Sequence, residues 1–138
     1  MAATEEYCGK EGVWVQFLGT GGPDLSDGRS ASSFLVWRDQ TPLLIVNPGP
    51  GAAHAMDQAG ARLIDIEAIL FTDVNVEHAS DFAALMRGAK SVGRRELLNV
   101  FGPAGNDLAP ATDVFIERLI GKSGAYPHLA DLLTPESR

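Results

Sequence analysis

The sequence is poor in the residues that usually build a metal or redox centre, with one cysteine and three histidines among 138 residues. A lone Cys8 excludes an internal disulfide, and without a cysteine pair or a Cys/His cluster there is no structural zinc site of the finger or ribbon type. Basic residues are also scarce. Eleven Lys and Arg stand against 18 Asp and Glu, giving a formal charge of −7, which opposes a phosphate backbone, so no nucleic-acid partner is expected. The one basic knot, Lys90, Arg94 and Arg95, reads as a solvated rim. No apolar run reaches the roughly 18 residues of a membrane helix. Met1 to Lys10 is polar and acidic where a signal peptide requires a basic and then an apolar stretch. A cytoplasmic chain away from membranes is the expectation.

What is present suffices for a folded core. Hydrophobic residues make up 45% of the chain and charged residues 21%, far from the composition of disorder, and the length suits one domain. Val13 to Leu18 is β-rich and ends at Gly19-Thr20-Gly21-Gly22-Pro23, a reversal. Ser33 to Trp37, a turn at Asp39-Gln40, and the apolar run Leu43 to Val46 read as a hairpin with a buried second strand. Asn47-Pro48-Gly49-Pro50-Gly51 ends that strand, Ala52 to Ala59 reads as helix with Gly60 as its stop, and Ile66 to Phe71 as the next strand. Strand, helix and strand in that order predict a right-handed crossover and parallel pairing.

Thr72 to His78 is expected to be loop. Phe82, Leu85 and Met86 then recur at helical spacing, with Ser80 as N-cap and Gly88 as stop. Leu97 to Phe101 reads as a strand. A last helix carries Val114, Phe115, Ile116, Leu119 and Ile120, with Pro110 in its first turn and Gly121 past its end, and a patternless tail follows from Tyr126. The domain reading is a polar segment over 1–12, a half domain over 13–121 and a tail over 122–138.

In content and order these motifs resemble the metallo-β-lactamase superfamily, particularly its ribonuclease Z and arylsulfatase-like branch. That branch opens with a strand into Leu-Gly-Thr-Gly-Gly-Pro, here Leu18 to Pro23, followed by Arg-x-x-Ser-Ser, here Arg29-Ser30-Ala31-Ser32-Ser33. Its Asp-x-Gly-x-Gly is matched by Asn47 to Gly51, its helix-closing Ala-Gly by Ala59-Gly60, and Phe101-Gly102-Pro103 also suits it. Where the family carries Thr-His-x-His-x-Asp-His, this chain has Thr72-Asp73-Val74-Asn75-Val76-Glu77-His78. The resemblance covers roughly residues 13 to 120 and implies an α/β fold: a mixed sheet of about five strands with three flanking helices, one half of an αββα sandwich.

The resemblance also implies a site, and this chain departs from it. The family's histidines and aspartate hold metal that lowers the pKa of a bound water. Here the corresponding metal positions are Asp73, Asn75, Glu77 and His78, with Glu77 and His78 as the candidate catalytic residues, and only the imidazole of His78 is unchanged. Zinc favours nitrogen and sulfur, whereas this set is rich in oxygen and suits Mg²⁺, Mn²⁺ or Ca²⁺ better, with weak, water-rich binding. No cofactor is expected; if one binds, it is a divalent metal (Zn, Mn or Mg), held weakly. His54 and His128 match no ligand position of the family.

Other features read as structure. The glycines from Gly19 to Gly22 lead into a polar loop and have no helix N-terminus to help cradle phosphate, and Gly121-Lys122-Ser123 lacks the upstream glycine of a phosphate loop. Ser32 and Ser33 sit in no nucleophile elbow and are expected to be buried or capping hydroxyls, while Trp14 and Trp37 are expected to pack. Two function classes follow. One is a non-catalytic scaffold or interaction protein that keeps the family fold, with a homo-oligomer or a second polypeptide completing the sandwich. The other is a metal-dependent hydrolase of ester, phosphodiester or sulfate-type substrates, its oxygen-rich site completed by a second chain. A truncated product of a longer gene is a third possibility.

Overall fold

The computed structural model describes residues 11–133. Cys8, most of the 1–12 segment and the last five residues of the 122–138 tail lie outside them.

Five strands, β1 (Val13–Gly19), β2 (Ser33–Arg38), β3 (Thr41–Val46), β4 (Ala68–Leu70) and β5 (Asn99–Phe101), form one sheet in chain order. The first three pair antiparallel, and β3, β4 and β5 pair parallel. The expected mixed sheet is therefore present. Helices α1 (Ala52–Gln58), α2 (Val76–Ala79), α3 (Phe82–Ser91) and α4 (Thr112–Ile120) are joined by short 3-10 helices at Leu25–Asp27 and Pro127–Leu132.

Strand alternation sorts the side chains into two faces. Leu35, Trp37, Ile45 and Ile69 point to one face, where Met56 of α1, Phe82, Leu85 and Met86 of α3, and Ile116 and Ile120 of α4 close over them. Phe71, Phe82 and Phe115 add a triad of rings with centroids 5.6 to 6.2 Å apart. Trp14 and Trp37 stack across β1 and β2 at 5.0 Å, so both tryptophans pack as expected.

Several element boundaries differ from the sequence reading, each for a visible reason. Residues 72–78 are not wholly loop, because α2 begins at Val76. Ser80 is not an N-cap: it closes α2, and Asp81 precedes α3 with its carboxylate accepting from the Ala53 amide of α1 at 3.0 Å. Gly88 is not a stop but lies inside α3, where a Cβ would stand 2.7 Å from Leu63 Cδ1. The left-handed residue that ends this helix is Gly93, at φ 74°. Pro110 stands before Ala111, the residue preceding α4, and so lies outside the first turn.

The stretch from Tyr126, expected to be patternless, folds back as a 3-10 helix that buries Leu129 and Leu132 in the main core. Its i, i+3 leucine spacing is too short to register as a helical pattern. Lys90 fastens it, with Nζ bonding to the His128 carbonyl and pairing with Asp131 at 3.1 Å.

The basic knot is thus partly internal architecture. Arg94 donates to the carbonyls of Leu63, Ile64, Ile66, Glu96 and Leu97, at 2.7 Å for Ile66. These carbonyls are drawn to the guanidinium just before β4 and β5 begin, which accounts for strands shorter than the apolar runs suggest. Five backbone acceptors need a replacement donor, so Arg94→Met is expected to destabilise the fold by about 2 to 4 kcal/mol, measured by chemical denaturation. Arg95→Met, at an exposed position, is expected to change stability by less than about 0.5 kcal/mol.

Candidate functional site at the ends of the parallel strands

In open α/β sheets, ligands gather beyond the carboxyl ends of parallel strands, where the connecting loops converge. Here the residues after β3, 47–51, meet those after β4, 72–81. Asn47, with φ 52° and 8% exposure, turns the chain. Its side-chain Oδ1 accepts from the Thr72 amide at 2.9 Å, and its Nδ2 donates to Thr72 Oγ1 at 2.8 Å. An amide can donate and accept together. The neutral side chain therefore ties two loops from a buried position without placing a charge there.

Close backbone approach fixes the glycines between them. A Cβ on Gly49 would stand 1.9 Å from the Glu77 carbonyl oxygen, and one on Gly51, at φ 89°, would meet Ser30 Oγ at 2.3 Å. The Asp81 amide donates to the Pro48 carbonyl, and the Ala31 amide to that of Pro50. Ser33, fully buried, donates to the Val46 carbonyl. Ser32 is exposed, so of the two serines only Ser33 is the expected buried hydroxyl.

The loop after β4 carries the candidate ligands. Asp73 Oδ1 accepts from His78 Nδ1 and from the Asn75 amide, both at 2.9 Å. Partial burial raises the Asp73 carboxyl, but the Asn75 amide and the His78 ring, by hydrogen bond and by charge, outweigh it and hold the group below its ordinary range. The sequence offered no orienting partner for His78; the structure supplies Asp73, five residues earlier. Asn75 is exposed and precedes α2, Glu77 is half-buried within it, and the apolar Val74 is buried in the core. Asp73 and His78 are therefore brought together. Glu77 makes no third partner, and His54 and His128 are exposed elsewhere.

Coordination chemistry decides whether these residues suit the metal that the resemblance implies. The Asp73 oxygen nearest His78 already accepts two hydrogen bonds, so an ion there must displace them. Among the described residues no three His, Cys, Asp or Glu side chains converge as a metal-holding group. A carboxylate and an imidazole can each bind zinc, but two such groups fall short of the three or four protein ligands that a zinc site uses. Two residues of this region escaped the sequence reading, Thr72 as the partner of Asn47 and Asp81 as the brace to α1. An Asp directly before the apolar helix pattern was the available signal for the second.

No protein-family model matches the chain. Ribonuclease Z of Pyrococcus furiosus is 28% identical over 122 residues, covering 80% of this chain and 39% of that protein. Ribonuclease Z of Methanopyrus kandleri is 36% identical over 97 residues, covering 69% of this chain and 34% of the relative. Among solved structures, the metallo-β-lactamase fold protein YhfI from Bacillus subtilis superposes with a TM-score of 0.62 at 14% identity, over 78% of this chain and 42% of the other. The chain thus spans between 34% and 39% of these two curated relatives.

Two substitutions test the local geometry. Gly49→Ala forces a methyl onto the Glu77 backbone and is expected to cost about 3 kcal/mol or more by denaturant titration. Asp73→Ala should cost about 1 kcal/mol or less at neutral pH, since the pair is partly screened by solvent. Because folding lowers the Asp73 carboxyl, its contribution is present above the unfolded range and fades as pH falls below about 4. The wild type and Asp73→Ala should then converge in stability under acid.

Proposed function

Because this chain belongs to the metallo-β-lactamase superfamily, we propose that it is a non-catalytic scaffold or interaction protein that keeps the family fold without its zinc chemistry. The observation that carries the reading is the Asp73–His78 contact at 2.9 Å. The family motif places imidazoles on a metal at this loop, whereas here a carboxylate caps the Asn75 amide and engages the one remaining imidazole. The donors bond to each other. Asn75 and Glu77 add only an amide and a carboxylate, a set to which zinc is poorly matched.

The partner in this reading is a copy of the chain or a second polypeptide that completes the sandwich. The domain it contributes is the segment 13–121, joined by the 3-10 helix at Pro127–Leu132 that packs into the same core. No helix among the described residues is long and apolar enough to cross a membrane, and we place the protein in the cytoplasm.

A second reading rests on the similarity to ribonuclease Z of two archaea. It makes the chain part of a metal-dependent hydrolase of ester, phosphodiester or sulfate-type substrates, with Glu77 and His78 as catalytic residues and a second chain supplying further ligands. The position of the Asp73 to His78 loop at the ends of the parallel strands favours it.

Elemental analysis of the purified full chain separates the two. The scaffold reading expects no stoichiometric zinc, manganese or magnesium in the wild type, and measurable zinc in the triple variant Asp73→His, Asn75→His, Glu77→Asp. Stoichiometric metal in the wild type together with hydrolysis of a test ester or phosphodiester would overturn it.

A further inference from the structure

The strand register leaves one sheet face with a consistent composition. Reading across the sheet, Phe17, Phe34, Val46, Leu70 and Phe101 form one row. Val15, Val36, Leu44, Ala68 and Asn99 form the next. Nine of these ten side chains are apolar, and the tenth, Asn99, sits at the outer strand. None of them belongs to the main core cluster or to the hydrophobics packed against it, and on the central strands Val46 and Ala68 are only 7% and 6% exposed. The helices cover the opposite face. Exposure is greatest at the two outer strands, with Val13 at 73%, Val15 at 49%, Phe17 at 67% and Phe101 at 56%.

We propose that a second copy of this chain covers this face, sheet against sheet, in a twofold pair. The inference rests on the scaffold reading and names the partner in it. Charge favours a copy of the chain. The two rows hold no ionised group, and Arg38 shares their face at one end of β1, paired with Val13. The 18 acidic residues lie outside the rows, so no like charges would oppose each other within them.

Area is consistent with a reversible dimer. Counting about 200 Å² for a Phe side chain, the face presents roughly 500 Å² of apolar surface per copy. That lies in the upper part of the range of about 300 to 600 Å² for the largest apolar patch on a monomer, a size that is often functional. Face-to-face pairing then buries about 1,000 Å² in total, at the lower limit for a specific interface.

Size complementarity follows from a twofold axis running along β3. The axis sets the β1–β2 side of one copy over the β4–β5 side of the other. Phe17 and Phe34 then face Leu70 and Phe101 of the partner copy, and Val36 faces its Ala68. Bulk therefore meets smaller residues near the centre and aromatics meet at the rims, with sheets about 10 Å apart as in sandwich cores.

Sedimentation velocity on the full chain at about 50 µM is expected to show a dimer, since an interface of this size supports micromolar affinity. Phe17→Asp with Phe101→Asp should weaken it by about 100-fold or more while leaving the circular dichroism spectrum unchanged, because each copy would bury charge against the partner's apolar rows. A second measurement does not depend on that variant folding. Nitroxide labels on Arg38→Cys in a Cys8→Ser background should lie within about 30 Å of each other across sheets spaced by about 10 Å. A monomer at that concentration, a dimer indifferent to the two aspartates, or labels much farther apart would each overturn the inference. A dimer carrying stoichiometric metal would sink the scaffold reading alone, and a metal-free monomer would sink only this inference.

Discussion

One constraint organises this molecule: among the described residues, the five-stranded sheet has helices on one of its faces. Strands that alternate in and out must find cover for both sets of side chains, and here Leu35, Trp37, Ile45 and Ile69 find it in full, while Phe34, Val36, Leu44 and Leu70 are half-buried and Phe17 is exposed. Position follows from the same asymmetry. The helices that cap one face also bring their preceding loops together at the ends of β3 and β4, where the candidate site lies.

That site is held by contacts between the loops, and among the described residues no three metal-ligating side chains converge there. Asn47 and Thr72 bond reciprocally, Gly49 lets the Glu77 backbone approach, and Asp81 bridges from α3 to α1. Within this frame Asp73 and His78 satisfy each other. The frame persists with a ligand set altered from the family motif, and that combination is the basis of the scaffold proposal.

Much of this was legible in the sequence. The hairpin, the parallel crossover and the order of the motifs follow from apolar runs punctuated by glycine and proline, signals that rest on backbone sterics and are local. The loop after β4 is legible as the candidate site because its motif keeps its place between a buried strand and an apolar helix. What was hidden depends on contacts distant in sequence. Arg94 reads as one more surface cation until its guanidinium is seen to gather carbonyls from segments 30 residues away. Gly88 reads as a helix stop until Leu63 is found against it. The Asp73–His78 pairing needed the turn at Asn75 and the start of α2, which spacing alone does not reveal.

The most direct test of the central claim follows the imidazole of His78 by NMR while the EDTA-treated full chain is titrated with zinc chloride. No saturable shift is expected at zinc concentrations below about 100 µM, because among the described residues no three ligand side chains converge around the ring. A saturating response with two equivalents of zinc in the low micromolar range would contradict it.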